Sequence, residues 1–378
     1  MMNSPGARSP PGTVRLFLAG DVMLGRGVDQ ILAHPCDPAI HESYLQSAVD
    51  YVRLAEMRQG PLPRAVPGGY VWGDLLGELD RRGCDVRLIN LETAITTSDD
   101  ADPKAINYRM CPENAAALRA AQIDACILAN NHVMDWGLTG LIETLQTLAA
   151  LEIGGVGAGR TSREASAPLI LGVPGKGRVL LVAFGSETSG IPLRWAAAAQ
   201  RPGINILPRN RNETVAQTRK IIEPIRQAGD ILVFSIHWGG NWGYTLDPAD
   251  HALAHALIDE AGVDVVFGHS SHHPKAVEVY NGKLILHGCG DLINDYEGIG
   301  GHEAFRGDLA LAYFADVRMD DATLHSLEMV PYRIRSFRLQ SAGTEEVSWL
   351  ADVMARECGA FAASIAQTAG GALRLSWC

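Results

Sequence analysis

The chain has 378 residues, 47% of them hydrophobic and 20% charged, the balance of a soluble globular protein with a large buried core. Its 32 basic and 43 acidic residues leave a net charge of −11, which argues against a nucleic-acid partner or an anionic membrane surface.

Residues 1–13 are rich in Pro, Gly and Ser and read as a disordered tail. Neither a signal-peptide core nor a membrane-spanning apolar run occurs, and seven scattered cysteines form no CxxC pair. The expectation is a cytoplasmic protein without membrane contact. Residues 14–19 (VRLFLA) are the first strand, followed by GDVMLGRG. Asp21 thus stands just past a strand's carboxyl end, where open α/β sheets assemble their sites. It is a ligand or base candidate; the simpler alternative is a cap for a helix starting near Val28. Residues 34–70 are irregular and Pro/Gly-rich and read as a lid-like insertion. Within them His34, Cys36, Asp37 and His41 fit a structured surface loop better than a metal cluster, because prolines interrupt them and no strand holds them.

A helix over 72–82 leads to a second strand, 84–91, which ends in Asn90-Leu91-Glu92. A third strand, 123–129, ends in NNHVMDWG, which presents Asn131, His132 and Trp136, and a helix over 139–150 follows. The glycine run at 155–159 has Arg160 where a GxGxxG fingerprint needs glycine, so a dinucleotide site is rejected. Strands follow at 168–172 and 178–184, then a helix over 212–228 kinked at Pro224. The strand at 231–236 lands on HWGGNWGY, which carries His237, Trp238, Trp242 and Tyr244. The next helix sets His251 and His255 on one face, but HALAH lacks the glutamate of a zinc-protease helix. Those two read as surface or supporting residues.

The apolar run 263–267 enters GHSSHHP, whose His269, His272 and His273 crowd three imidazoles at one strand end. Such a cluster suits metal binding or proton transfer, and taken alone it equally fits a histidine-rich surface turn. Asn281-Gly282 joins strands 276–280 and 283–287 as a hairpin, and HGCGDLIND returns Asp291 to the same edge. Strands at 307–314 and 324–332 finish the sheet, and 345–369 reads as helix. No linker divides the chain into independent domains.

In order, the strands end in GDxxLGR, NLE, NNHxxD, HWG and GHxxHH. This set, over about residues 14–335, resembles the CapA family associated with bacterial capsule and poly-γ-glutamate synthesis. The resemblance implies a calcineurin-like, metallo-dependent phosphatase-like α/β fold, a sandwich of two mixed β-sheets flanked by helices. A helical tail at 336–378 would pack on it. Metal ligands are implied among Asp21, Asn90, Glu92, Asn131, His237, His269 and His272; the expected catalytic groups are His132, His269 and Asp21, with Asp291 added for its place in the sequence. Met23 stands where dinuclear phosphoesterases have histidine, and Asn90 where they have aspartate. That points to one divalent ion, Ca²⁺, Mg²⁺ or Mn²⁺, and to no nucleotide or organic cofactor. Trp136, Trp238, Trp242 and Tyr244, with Arg26, are expected to hold the substrate, and their rings suit a peptide. A soluble branch of the family inverts the Cα of a C-terminal residue in a lasso-peptide precursor. Peptide epimerisation by opposed His/Asp pairs is therefore the leading reading. The alternatives are a metal-dependent hydrolase of phosphoesters or of γ-glutamyl or peptide amides, and a non-catalytic accessory protein, against which the retained histidines argue. Oligomeric state is left open.

Overall fold

The computed structural model describes residues 9–378. The expected N-terminal tail lies outside the described residues as far as residue 8. The strands of the two main sheets, in chain order, are β1 (Thr13–Val22), β2 (Val86–Leu91), β3 (Ala125–Ile127), β4 (Gly154–Val156), β5 (Leu169–Val173), β6 (Gly177–Gly185), β7 (Ile231–His237) and β8 (Val265–His269). After them come β9 (Val277–Tyr280), β10 (Lys283–Leu286), β11 (Asp291–Ile293), β12 (Leu309–Arg318), β13 (Leu324–Ile334), β14 (Leu339–Ser341), β15 (Ala363–Gln367) and β16 (Leu373–Trp377). The principal helices are α1 (Ala48–Gln59), α2 (Leu75–Arg82), α3 (Gly137–Ala150), α4 (Arg211–Ile222), α5 (Pro248–Ala261) and α6 (Thr344–Gly359).

Two mixed sheets form, as the motif order implied. The larger runs β15-β16-β13-β12-β1-β2-β3-β4, with β11 beside β1 and β14 beside β13. Its β1-to-β4 half is parallel and its β12-to-β16 half antiparallel. The smaller runs β9-β10-β8-β7-β6-β5 and is parallel in the middle with an antiparallel strand at each edge.

Strand alternation tells how the layers meet. On β6 to β8, Val179, Leu181, Ala183, Val233, Val265 and Phe267 join the core shared with the larger sheet. Their neighbours Leu180, Val182, Phe184, Phe234, Ile236 and Val266 join a second core under α4 and α5, with Val215, Leu253 and Leu257. Each fully buried Val, Leu, Ile or Phe among them contributes about 1.5–3 kcal/mol. The same alternation sends His237 and His269 inward, between the sheets, and Trp238 outward to the helices.

Three segments depart from the sequence reading. The helix expected over 212–228 stops at Ile222, because Pro224 cannot continue its hydrogen-bond ladder. The irregular stretch 34–70 contains α1, capped by the Ser47 side chain, which accepts from Val49 N–H. The C-terminal tail is only partly helix. After α6 the chain makes a β15–β16 hairpin turning at Gly371 (φ 81°), and β16 pairs with β13. Ala363, Leu373 and Leu375 alternate with exposed partners, a period-two pattern in residues read as helical. No helix among the described residues is long and apolar enough to cross a membrane.

Candidate functional site

Parallel pairing sets Asp21 of β1 beside Asn90 of β2 on one side and Asp291 of β11 on the other. At Gly20 a Cβ would lie 2.1 Å from the Gly290 carbonyl oxygen, so only glycine lets these chains approach closely enough to bring the carboxylates together. Asn90 Nδ2 donates to Asp21 Oδ1 at 2.7 Å, and Asn90 Oδ1 accepts from Asn130 Nδ2 at 3.0 Å. Its amide nitrogen thus orients Asp21, while its oxygen faces Asn130. Asp21 Oδ2 is buried and receives no hydrogen bond. Burial, then repulsion from Asp291, pushes the Asp21 carboxyl up to about 7. Burial and the neighbouring Asp21 drive Glu92 upward as well. A shared proton or a cation would relieve this excess of buried negative charge.

The smaller sheet supplies the imidazoles. His237 and His269 are register partners on β7 and β8, and their Nδ1 atoms meet at 2.7 Å. Ser235 Oγ lies 2.8 Å from His269 Nε2, and Asn131 Oδ1 lies 3.0 Å from His237 Nε2. Burial lowers the His269 pKa to about 3, and burial with repulsion from His269 lowers that of His237. Ser270, immediately after β8, takes φ 103°, a conformation few non-glycine residues adopt, and this sharp turn brings His272 back toward Asp291.

His272 Nδ1 and Asp291 Oδ1 are 2.8 Å apart, and Asn294 Nδ2 donates to the other Asp291 oxygen at 2.9 Å. Burial opposes charging His272, but Asp291 outweighs it and raises the pKa. Across the site His132 Nδ1 is 2.6 Å from Asp135 Oδ2, while its Nε2 lies 3.7 Å from Glu92 Oε1. Burial prevails there and lowers the pKa to about 4, so His132 is neutral at pH 7. Lys104 Nζ reaches Asp135 Oδ1 at 2.7 Å and also bonds the Asn131 carbonyl. Asp21, His237 and His269 offer three ligand atoms within 4.8 Å of one another, and Asp21, His272 and Asp291 offer a second such triplet.

The site thus gathers Asp21, Asn90, Glu92, Asn131, His132, His237, His269, His272 and Asp291. Of the residues expected to hold substrate, only Trp242 borders it, its ring 5.4 Å from that of His272 and stacked on His302 at 4.1 Å. Tyr244 stands behind His273, and Trp238 faces the helix-side core, where its Nε1 donates to the His287 carbonyl. Trp136 is 1% exposed and donates to the Tyr108 carbonyl. Arg26 is buried between Asp295 and Glu42, to which it pairs at 2.5 and 2.9 Å, and has no donor free for a ligand. His269, expected as an acid–base group, has both ring nitrogens engaged by His237 and Ser235. His272 and His132 instead carry the carboxylate-oriented geometry. Lys104 and Tyr296, whose hydroxyl lies 3.5 Å from His272 Nε2, were not singled out from sequence. Neither carries a local motif; only the fold brings them in.

Residues 15–296 match the family model described as bacterial capsule synthesis protein PGA_cap. The chain belongs to this capsule synthesis protein family. A PGA_cap relative named "Probable polyglutamine synthesis accessory protein", from Mycobacterium tuberculosis, is 45% identical over 349 residues, covering 92% of this chain and 91% of its own. The PGA biosynthesis protein CapA of Bacillus subtilis is 30% identical over 219 residues, 57% of this chain and 54% of its own. The capsule biosynthesis protein CapA of Bacillus anthracis is 28% identical over 192 residues, 51% of this chain and 45% of its own. A crystal structure described as a novel phosphatase from Mycoplasma pneumoniae superposes with TM-score 0.48 at 11% identity, covering 84% of this PGA_cap chain and 93% of its own. None of these relatives is named as an epimerase.

Proposed function

We propose that this chain is a divalent-metal-dependent hydrolase that cuts amide bonds in a glutamyl polymer during its synthesis. The observation that carries this reading is the position of Asp21, which belongs to two ligand triplets while its buried Oδ2 has no donor. Two triplets sharing one carboxylate would suit a pair of divalent ions of the kind hydrolytic centres use, where the sequence alone suggested one. The donor set fits: carboxylate oxygens with imidazole nitrogens, and, among the described residues, no Lys or Arg salt-bridged to Asp21, Glu92 or Asp291. Bound ions would supply Lewis-acid polarisation of a substrate oxygen.

The chain's own residues would move the protons. His132, neutral and held through Nδ1 by Asp135, accepts a proton at Nε2. His272, oriented through Nδ1 by Asp291, which raises its pKa, belongs to the second triplet and would have to be neutral to hold an ion there. Trp242 walls the approach to His272. The substrate class rests on the relatives, which are named for polyglutamine and PGA synthesis.

The test is incubation of the Mn²⁺-supplied protein with poly-γ-glutamate and with glutamyl oligopeptides in D₂O. The expected result is shorter chains with new amino termini, and a loss of roughly 10²–10⁴ in rate for His132→Ala. A second reading, peptide Cα epimerisation, draws on one specific observation: two carboxylate-held imidazoles across one site, with pKa values shifted in opposite directions. Deuterium gained at Cα with chain length unchanged would overturn the hydrolase and establish the epimerase.

A further inference from the structure

On the far face of the smaller sheet, away from Asp21, a second histidine cluster forms. Residues four apart on α5, His251 and His255 project from one helical face, and that face lies over the β9–β10 hairpin. In the hairpin Glu278 is opposite Ile285, which faces the helix-side core, and His287, two residues past Ile285, points to the same side. Three imidazoles therefore converge on one carboxylate. His251 Nε2 is 3.1 Å from Glu278 Oε2, His255 Nε2 is 2.7 Å from Oε1, and His287 Nε2 is 3.0 Å from Oε2. The ligand atoms of His251, His255 and Glu278 lie within 4.8 Å of one another.

We infer that His251, His255 and Glu278, its carboxylate oriented by His287, form a binding site for a borderline divalent ion of the Zn²⁺ type, separate from the Asp21 centre. Two imidazoles and one carboxylate, completed by a water, are a four-coordinate donor set for such an ion, with nitrogen and oxygen ligands at about 2.0–2.2 Å. Ligand atoms of His251, His255 and Glu278 already lie within 4.8 Å of one another, and the Nε2 protons would shift to Nδ1. The carboxylate ligand comes from a neighbouring strand, not from the helix itself.

The surroundings hold the ligands and leave a way in. The His255 ring stacks on Tyr280 at 3.6 Å, and the Tyr280 hydroxyl donates to Asp259 at 2.7 Å. The His287 carbonyl accepts from Trp238, and Phe361 packs 5.4 Å from both the His251 and His287 rings. The His287 side chain is 1% exposed, whereas those of His251 and His255 are 34% and 26% exposed, so solvent and ions reach the cluster from the helix side. An ion there would clip α5 to the β9–β10 hairpin, and through the His287–Trp238 bond it would brace the strand that ends in His237.

The probe is Co²⁺ added to chelator-stripped full-length protein, read as bound equivalents after dialysis and as visible d–d absorption. Wild type, His251→Ala/His255→Ala and Asp21→Asn are compared. Both histidines are half-exposed on a helix, so the double variant should keep its fold, checked by circular dichroism. Expected is the loss of one equivalent, with the intense four-coordinate band, from the double variant, and its retention in Asp21→Asn. In the Asp21→Asn background, Zn²⁺ should raise the melting temperature, and the added histidine changes should abolish that rise. The inference is overturned if the double variant binds as much Co²⁺ as wild type with the same spectrum. It is equally overturned if Asp21→Asn alone removes all bound Co²⁺.

Discussion

Asp21 concentrates the site's electrostatics in one side chain. Its carboxyl must give up a proton before it can hold cations, and burial with repulsion from Asp291 has moved that event to about pH 7. His272, if it ligates, must also lose a proton that Asp291 helps it keep. Both proton losses run the same way, so divalent-ion affinity should rise as pH increases from 6 to 8 and then level off. Calorimetric titration with Mn²⁺ checks this, and an affinity independent of pH over that interval would contradict the assignment of Asp21 as a shared ligand. Asp21→Asn should lose the Mn²⁺ bound at both central triplets together, not one of them.

At the level of elements, strand ends were readable because their chemistry is local. Gly268-His269 and Asn130-Asn131-His132 follow apolar runs directly, so motif and scaffold are adjacent in sequence. Facing was harder. His237 and Trp238 are neighbours, and only the register of β7 against β8 shows that the first points between the sheets and the second toward α4 and α5. The five aromatic and basic residues assigned to substrate were chosen by proximity in sequence, and alternation or ion pairing takes Trp238 and Arg26 elsewhere. Tyr296 and Lys104 were invisible for the converse reason, since long-range packing alone brings them to His272 and Asp135. The C-terminal hairpin escaped notice because α6 precedes it and its alternation is short. That hairpin buries Leu373 and Leu375 and pairs β16 with β13. Ending the chain at Gly359 should therefore cost on the order of 3–6 kcal/mol, taken as two buried leucines. The urea midpoint measures it, and a truncated protein as stable as the whole would show that the hairpin is ornamental.

Across the whole molecule one apolar core is continuous from the larger sheet through the inner face of the smaller one. Neither sheet can be stripped away without exposing the other. Chemical unfolding of the metal-free protein should therefore be a single transition, coincident by tryptophan fluorescence and far-ultraviolet circular dichroism. Two separated transitions would mean that the sheets fold as independent units. The central strand has a further consequence. β1 takes its antiparallel partner, β12, almost three hundred residues later in the chain, and the Asp21 centre draws on residues from position 21 to position 291. On the ribosome, β1 must wait, unpaired on one edge, while most of the protein is translated. A nascent chain halted before residue 291 carries half a metal centre and an open strand edge. Chaperone occupancy during synthesis, and inclusion bodies when synthesis outruns it, are the cellular signature such a topology should leave.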